Sequence, residues 1–200
     1  MQVRLDKRAR IIADGGQAYP VDLLRDHTLV QVRQKYTDDT GELTLAPGEE
    51  TTDEVTVGGR VVFVRNTGKL CFASLQDGFT ETSNGERLQI MLSKAEVGDE
   101  SLAAWKSDVD LGDHVWVRGR VVVSRRGELS IMAAEWRMAS KALRPLPTLH
   151  KELSEESRVR RRYADLVVRE ESRQMVRTRA VITRAVRRAL DERGFLEIET

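Results

Sequence analysis

Between Val55 and Ala133 the hydrophobic pattern takes a period of two, and it does so in five separate runs. A period of two places apolar side chains on one face of an extended chain, so each run needs a sheet with one buried side. Val55, Val57, Val61 and Phe63 alternate in the first run, with a bulge expected at Gly58-Gly59. Asn66-Thr67-Gly68-Lys69 is turn chemistry leading into a second strand from Leu70 to Leu75. After a polar loop from Gly78 to Arg87, Leu88, Ile90 and Leu92 alternate with Gln89, Met91 and Ser93. Residues 94–107 read as a helix carrying Leu102 and Trp105. Val115, Val117, Val121 and Val123 mark a fourth strand with Gly119 inside it, and Arg126-Gly127 turns it into a fifth, Leu129 to Ala133. Five short strands with a helix between the third and fourth is the order of an OB-fold, a small and partly open barrel. The predicted fold class is mainly β with flanking helices.

The flanks are helical. Residues 3–13 form a basic helix with Leu5, Ala9 and Ile12 at helical spacing and Gly15-Gly16 as its stop. Residues 14–54 are polar connecting structure with a short helix at 28–36. Residues 139–153 make a linker that Pro145 and Pro147 keep from being a continuous helix. Two helices follow, at 154–166 and 170–193, the second with an apolar stripe of Met175, Ile182, Val186 and Leu190 and a stop at Gly194. Phe195-Leu-Glu-Ile-Glu then alternates like the start of a strand whose sheet is missing, which predicts a truncated product.

Composition closes off several classes. The chain has 200 residues, 40% hydrophobic and 32% charged, which is the profile of a soluble globular protein able to bury a core without staples. One cysteine, Cys71, excludes an internal disulfide and a thiolate metal cluster. No apolar run approaches membrane-spanning length, and the charged N-terminus lacks the apolar stretch of a signal peptide, so a cytoplasmic location is expected. The net charge of +1 hides an asymmetry: residues 1–100 are acidic by five charges and residues 101–200 basic by six. Arg158, Arg160, Arg161, Arg162, Arg184, Arg187 and Arg188 concentrate that excess. They either face a polyanion or line solvated helix faces paired with Glu155, Glu156, Glu170, Glu171 and Asp191.

Strand parity nominates a binding face. OB-folds commonly bind on the second and third strands. With Leu88, Ile90 and Leu92 turned inward, Gln89 and Met91 face out; with Cys71, Ala73 and Leu75 inward, Leu70, Phe72 and Ser74 face out. Phe72 could stack a base, Gln89 read its edge and Arg65 hold phosphate or ribose. Packing in the core is the other reading of Phe72, and a solvated strand residue that of Gln89. Glu128 is a further candidate, or else a hairpin-turn carboxylate beside Arg126. Catalytic patterns are scarce: His27, His114 and His150 are isolated, and no phosphate-loop, nucleophile-elbow or zinc-protease string occurs.

Longer stretches resemble the class II lysyl-tRNA synthetases. Gly59-Arg-Val-Val-Phe-Val-Arg-Asn-Thr-Gly-Lys-Leu-Cys-Phe-Ala-Ser-Leu-Gln-Asp-Gly is similar to the opening of their anticodon domain. So are Arg126-Gly-Glu-Leu-Ser-Ile, Lys141-Ala-Leu-Arg-Pro-Leu-Pro and Arg162-Tyr-Ala-Asp-Leu, and Arg193-Gly-Phe-Leu-Glu-Ile-Glu-Thr resembles the family's motif one. The wording of 70–78 and 105–113 resembles actinobacterial members, and in particular the synthetase half of a two-part protein that also makes lysyl-phosphatidylglycerol. The aspartyl and asparaginyl enzymes share the layout, and the Lys141 linker favours lysine.

The resemblance implies that Arg65, Phe72, Gln89 and Glu128 are the anticodon-binding residues, with Phe72 stacking on the central uridine. It implies tRNA(Lys) as partner, and lysine, ATP, Mg²⁺ and a homodimer for the parent enzyme. For this chain it implies no catalytic or metal residue and no cofactor of its own, since motifs two and three are absent. The loop from Gly78 to Arg87 is longer than expected for the family, and Ala164 stands where Leu is usual. The expected organisation is an N-terminal helical extension at 1–54, an OB-fold anticodon-binding domain at 55–140, a linker at 141–153 and the start of a catalytic domain at 154–200. A free-standing module for single-stranded nucleic acid, a protein-interaction or dimerisation domain, and an aspartyl or asparaginyl synthetase fragment are the alternatives.

Overall fold

The computed structural model describes residues 1–78, 85–147 and 153–199, and the chain divides into two compact units. The first contains five strands: β1 (Glu50–Thr67), β2 (Leu70–Gln76), β3 (Arg87–Ser93), β4 (His114–Val123) and β5 (Leu129–Ser140). They close in the order β1-β2-β3-β5-β4, so the barrel expected to be partly open is complete. All pairings are antiparallel except β3 with β5, which closes the ring in parallel through Gln89, Ile90 and Met91. Around it lie α1 (Gln2–Ala13), α2 (Leu29–Lys35), α3 (Lys94–Val97) and α4 (Asp99–Asp108).

The alternation does what it dictates. Cys71, Ala73, Leu75, Leu88, Ile90 and Leu92 are all buried, with Val115, Val117, Val121, Leu129 and Ile131 opposite them. Trp105 of α4 is buried in the core and meets Trp136 of β5 edge to face at 5.1 Å. β1 starts at Glu50, ahead of the alternation at Val55, and β5 runs on past Ala133 to Ser140.

Three local expectations change. Gly58-Gly59 keeps regular pairing with Trp116 and Val115; β1 shifts register against β4 between Glu50 and Glu54, and against β2 between Val61 and Phe63. Val61 and Val62 are therefore both buried, and Phe63 turns outward. The helix expected at 94–107 is two helices, because Gly98 adopts φ +82 and ends α3 before α4 begins. Inside β4, a Cβ on Gly119 would stand 2.0 Å from the Met132 carbonyl oxygen, so only glycine allows the second bulge there.

α2 begins at a reciprocal cap. The Thr28 hydroxyl accepts from Gln31 N at 3.1 Å, and the Gln31 side chain accepts from Thr28 N at 2.8 Å. Leu29 and Val32 bury its inner face in the barrel core. At the far end of β5, Lys141 is wholly buried and donates to the Asp108 carbonyl, Asp110 and Asp113, each at 2.6 Å. Lys7 of α1 joins the cluster at Asp110. Burial acts to raise the Asp110 pKa, but the hydrogen bonds from Lys141 and Lys7 outweigh it and hold that carboxyl below its usual range.

The second unit contains α5 (Glu155–Arg160), α6 (Arg162–Val168) and α7 (Glu170–Asp191). The helix expected at 154–166 is thus divided at Arg161. Asp165 is fully buried and ties α6 to α7, accepting from Ser172 at 2.6 Å and from Arg162 at 2.7 Å. Arg173 donates to the carbonyls of Leu166 and Val167, groups that the end of α6 leaves without helical partners. Met175, Ile182, Val186 and Leu190 on α7 are all exposed. Residues 195–199 form no strand: among the described residues none lies alongside to complete its hydrogen bonds. Among the described residues no helix is long and apolar enough to cross a membrane.

Candidate nucleic-acid interface

The pairing register fixes which side chains share the outer face. Arg65 of β1 pairs with Phe72 of β2, Phe72 with Met91 of β3, and Met91 with Met132 of β5. One row further along the strands, Phe63 pairs with Ser74, Ser74 with Gln89, and Gln89 with Ser130. Phe72 is half-buried and outside the core cluster, between the fully buried Cys71 and Ala73. The Arg65 guanidinium lies over its ring, 4.7 Å from the centroid. Arg65 is exposed, and among the described residues no carboxylate pairs with it. A cation held over an aromatic ring on an open sheet face is suited to a base and its phosphate.

Gln89 does not stand alone. Its amide nitrogen donates to the Ser130 hydroxyl at 2.8 Å, and that hydroxyl donates to the Glu128 carbonyl at 2.9 Å. This relay fixes the direction of the amide, leaving its oxygen and second N–H for a ligand. Glu128 is exposed in the turn between β4 and β5, where its own N–H donates to Ser124 Oγ at 3.0 Å. The four residues nominated by sequence fall into two pairs: Arg65 with Phe72 in direct contact, and Gln89 with Glu128 linked through Ser130.

Arg33 of α2 escaped the sequence reading. Its guanidinium donates to Glu86 at 2.7 Å and to the Arg87 carbonyl at 2.7 Å, and lies 3.8 Å from the Glu128 carboxylate. Among the described residues, Glu128 therefore pairs with Arg33, not with Arg126 of its own turn. No local pattern marks a contact between residues 33 and 128; the only signal is that Leu29 and Val32 must face the barrel, which sets Arg33 beside its rim. The extra length expected in the loop after β2 falls on residues 79–84, outside the described residues. Among the described residues no three His, Cys, Asp or Glu side chains are arranged to hold a metal ion.

Comparison with known families agrees with this layout. Residues 55–139 match the OB-fold nucleic acid binding domain, and residues 154–200 match the class II tRNA synthetases of the D, K and N group. The chain thus matches an OB-fold nucleic acid binding domain followed by the start of a class II synthetase domain. Within the group it matches the N-terminal part of lysine–tRNA ligases. It is 59% identical to the lysine–tRNA ligase of Kineococcus radiotolerans over the whole chain and 38% of that protein. It is 56% identical to that of Mycolicibacterium gilvum, again over the whole chain and 38% of the relative. The bifunctional lysylphosphatidylglycerol biosynthesis protein LysX of Rhodococcus jostii is 37% identical over the whole chain and 16% of that protein. The likeness to a two-part protein is real, but it is the weaker of the two. The chain spans about 38% of the length of the lysine–tRNA ligases it matches.

Proposed function

We propose that this chain is the anticodon-reading part of a lysine–tRNA ligase that joins lysine to tRNA(Lys). The carrying observation is the Arg65–Phe72 pair beside the tethered Gln89 on the outer face of β1, β2 and β3. An unpaired anticodon base takes the Phe72 ring, and Arg65, displaced from that ring, is left next to the strand's phosphates. Gln89 and Glu128 meet base edges. Phosphate contacts position a nucleic acid and base contacts specify it, so Arg65 supplies affinity while Gln89 and Glu128 supply discrimination.

In the whole enzyme, lysine, ATP and Mg²⁺ form lysyl-adenylate, and the lysyl group passes to the tRNA end. That chemistry belongs in this reading to parts of the ligases that these 200 residues do not cover, as does the completed homodimer. The reading places the protein in the cytoplasm, where translation runs.

The test is titration of the chain with tRNA bearing a UUU or CUU anticodon against a tRNA with an unrelated anticodon. The expected outcome is preference for the first pair, falling as salt rises. Equal affinity for all three would leave only general nucleic-acid binding.

A further inference from the structure

Phe63 has no part in the four-residue reading above, and it is the one large hydrophobic side chain on the five strands that stands exposed, at 53%, among the described residues. A lone exposed apolar residue needs no explanation in general. Its position here does. The bulge after Val61 sends both Val61 and Val62 into the core and turns Phe63 out onto the face that holds Arg65 and Phe72. Its strand partner is Ser74, a small side chain that leaves the space over the sheet open, and Ser74 in turn pairs with Gln89. Phe63 and Phe72 are diagonal neighbours across the β1–β2 pair, about 7 Å apart along the face by strand geometry. The amide of Gln89 lies one strand beyond Ser74 in the same row as Phe63.

Resting on the anticodon-binding reading, we propose that Phe63 is a second stacking platform, taking the base next to the one on Phe72. The ligand class is single-stranded RNA. Base–aromatic stacking is tolerant of sequence because every base has a π-face, so the ring supplies affinity while Gln89, in its row, reads the edge of the same base. The site then holds two consecutive bases on two rings, one beside the Arg65 cation and one beside a fixed amide.

The experiment measures binding of the full chain to an anticodon stem-loop RNA with a UUU anticodon, intact or with an abasic residue at one anticodon position. Phe63→Ala should weaken binding of the intact RNA by about tenfold, as loss of one stacked base does. Phe63→Tyr should bind like the original chain, and Phe63→Leu, apolar but without a ring, should bind nearly as weakly as Phe63→Ala. The Phe63→Ala loss should vanish when the abasic residue lies at one of the two positions flanking the central nucleotide. Phe72→Ala serves as reference, and its loss should vanish when the central position is abasic. If Phe72 behaves so but Phe63 couples to neither flanking position, or Leu serves as well as Tyr, the second platform is overturned and the anticodon reading stands. If neither ring matters to binding, both fall together.

Discussion

At the residue scale, the sequence and structure agree where parity decides and part where it cannot. Phe72 faces outward because Cys71 and Ala73 are drawn into the core on either side of it. Replacing it with Ala leaves the core cluster intact, so the variant should fold. Stacking of one base is worth about 1–3 kcal/mol, and Phe72→Ala should bind an anticodon stem-loop roughly ten- to a hundredfold more weakly in a direct titration. A variant that binds as well as the original would take the ring out of the site. Arg33 makes a different prediction. Its contact with Glu128 is 3.8 Å long and joins a half-buried guanidinium to an exposed carboxylate, and pairs near the surface contribute about 0–1 kcal/mol to stability. Arg33→Met also removes the bonds to Glu86 and the Arg87 carbonyl, so the urea midpoint should fall modestly, and it frees the Glu128 carboxylate to turn. The expected loss is in the ratio of affinities for UUU and non-cognate stem-loops, larger than the loss in affinity for UUU itself. The outward direction of Phe72 and Gln89 was legible because their own strands alternate cleanly. Arg33 was not, because its place beside Glu128 is a contact made ninety-five positions away, and a charged residue on a short helix carries no mark of it.

At the element scale, the strands were legible wherever only one face is buried. β2 and β3 alternate cleanly, and a slip by one residue would have exposed every apolar side chain they carry. β1 was not legible at Val61-Val62-Phe63-Val64, since four apolar residues in a row give no parity and the bulge alone decides which way Phe63 points. Closure of the ring was also out of reach, because β3 meets β5 through three pairs of residues with no turn between them. Lys141 hides in the same way: a lysine shortly before prolines reads as solvated linker, while three oxygens of the α4–β4 connection bury it. The start of β4 carries a testable titration. His114 pairs with Arg60, and burial first, then the Arg60 charge, pushes its pKa down from 6.5 to about 4. The folded protein keeps the ring neutral while the unfolded chain protonates it, so stability falls as pH drops from about 6.5 to about 4. A shift of that size corresponds to about 3 kcal/mol across the window. Urea unfolding of the original chain and of His114→Gln at pH 7 and pH 4.5 should show the variant losing much less stability on acidification. Identical losses would move the acid sensitivity elsewhere.

At the scale of the whole molecule, the question is what two hundred residues with one open sheet face and one helical unit can do by themselves. Adenylate formation needs the phosphates of ATP held by cations and Mg²⁺ while the lysine carboxylate is brought in line, so its rate comes from positioning and from stabilising developing charge. The second unit has cations in abundance but spends several of them on itself: Arg162 and Arg169 bind Asp165, and Arg173 closes the end of α6. Among the described residues of that unit there is no strand against which the other arginines of α7 could converge, and Arg187 already pairs with Glu197. Charges spread along an exposed helix are screened by water and cannot be preorganised around a triphosphate. The sheet face offers no alternative, since Arg65 lies over the Phe72 ring and the Arg33 guanidinium lies against Glu86 and Glu128, so neither cation is set around a triphosphate. The chain incubated with lysine, ATP, Mg²⁺ and labelled pyrophosphate should therefore give no lysine-dependent exchange above a blank, while a full-length lysine–tRNA ligase carrying these residues should. Exchange that follows the purified chain through removal of host synthetase would place a complete adenylation site within these 200 residues and overturn the assignment of their work to tRNA recognition.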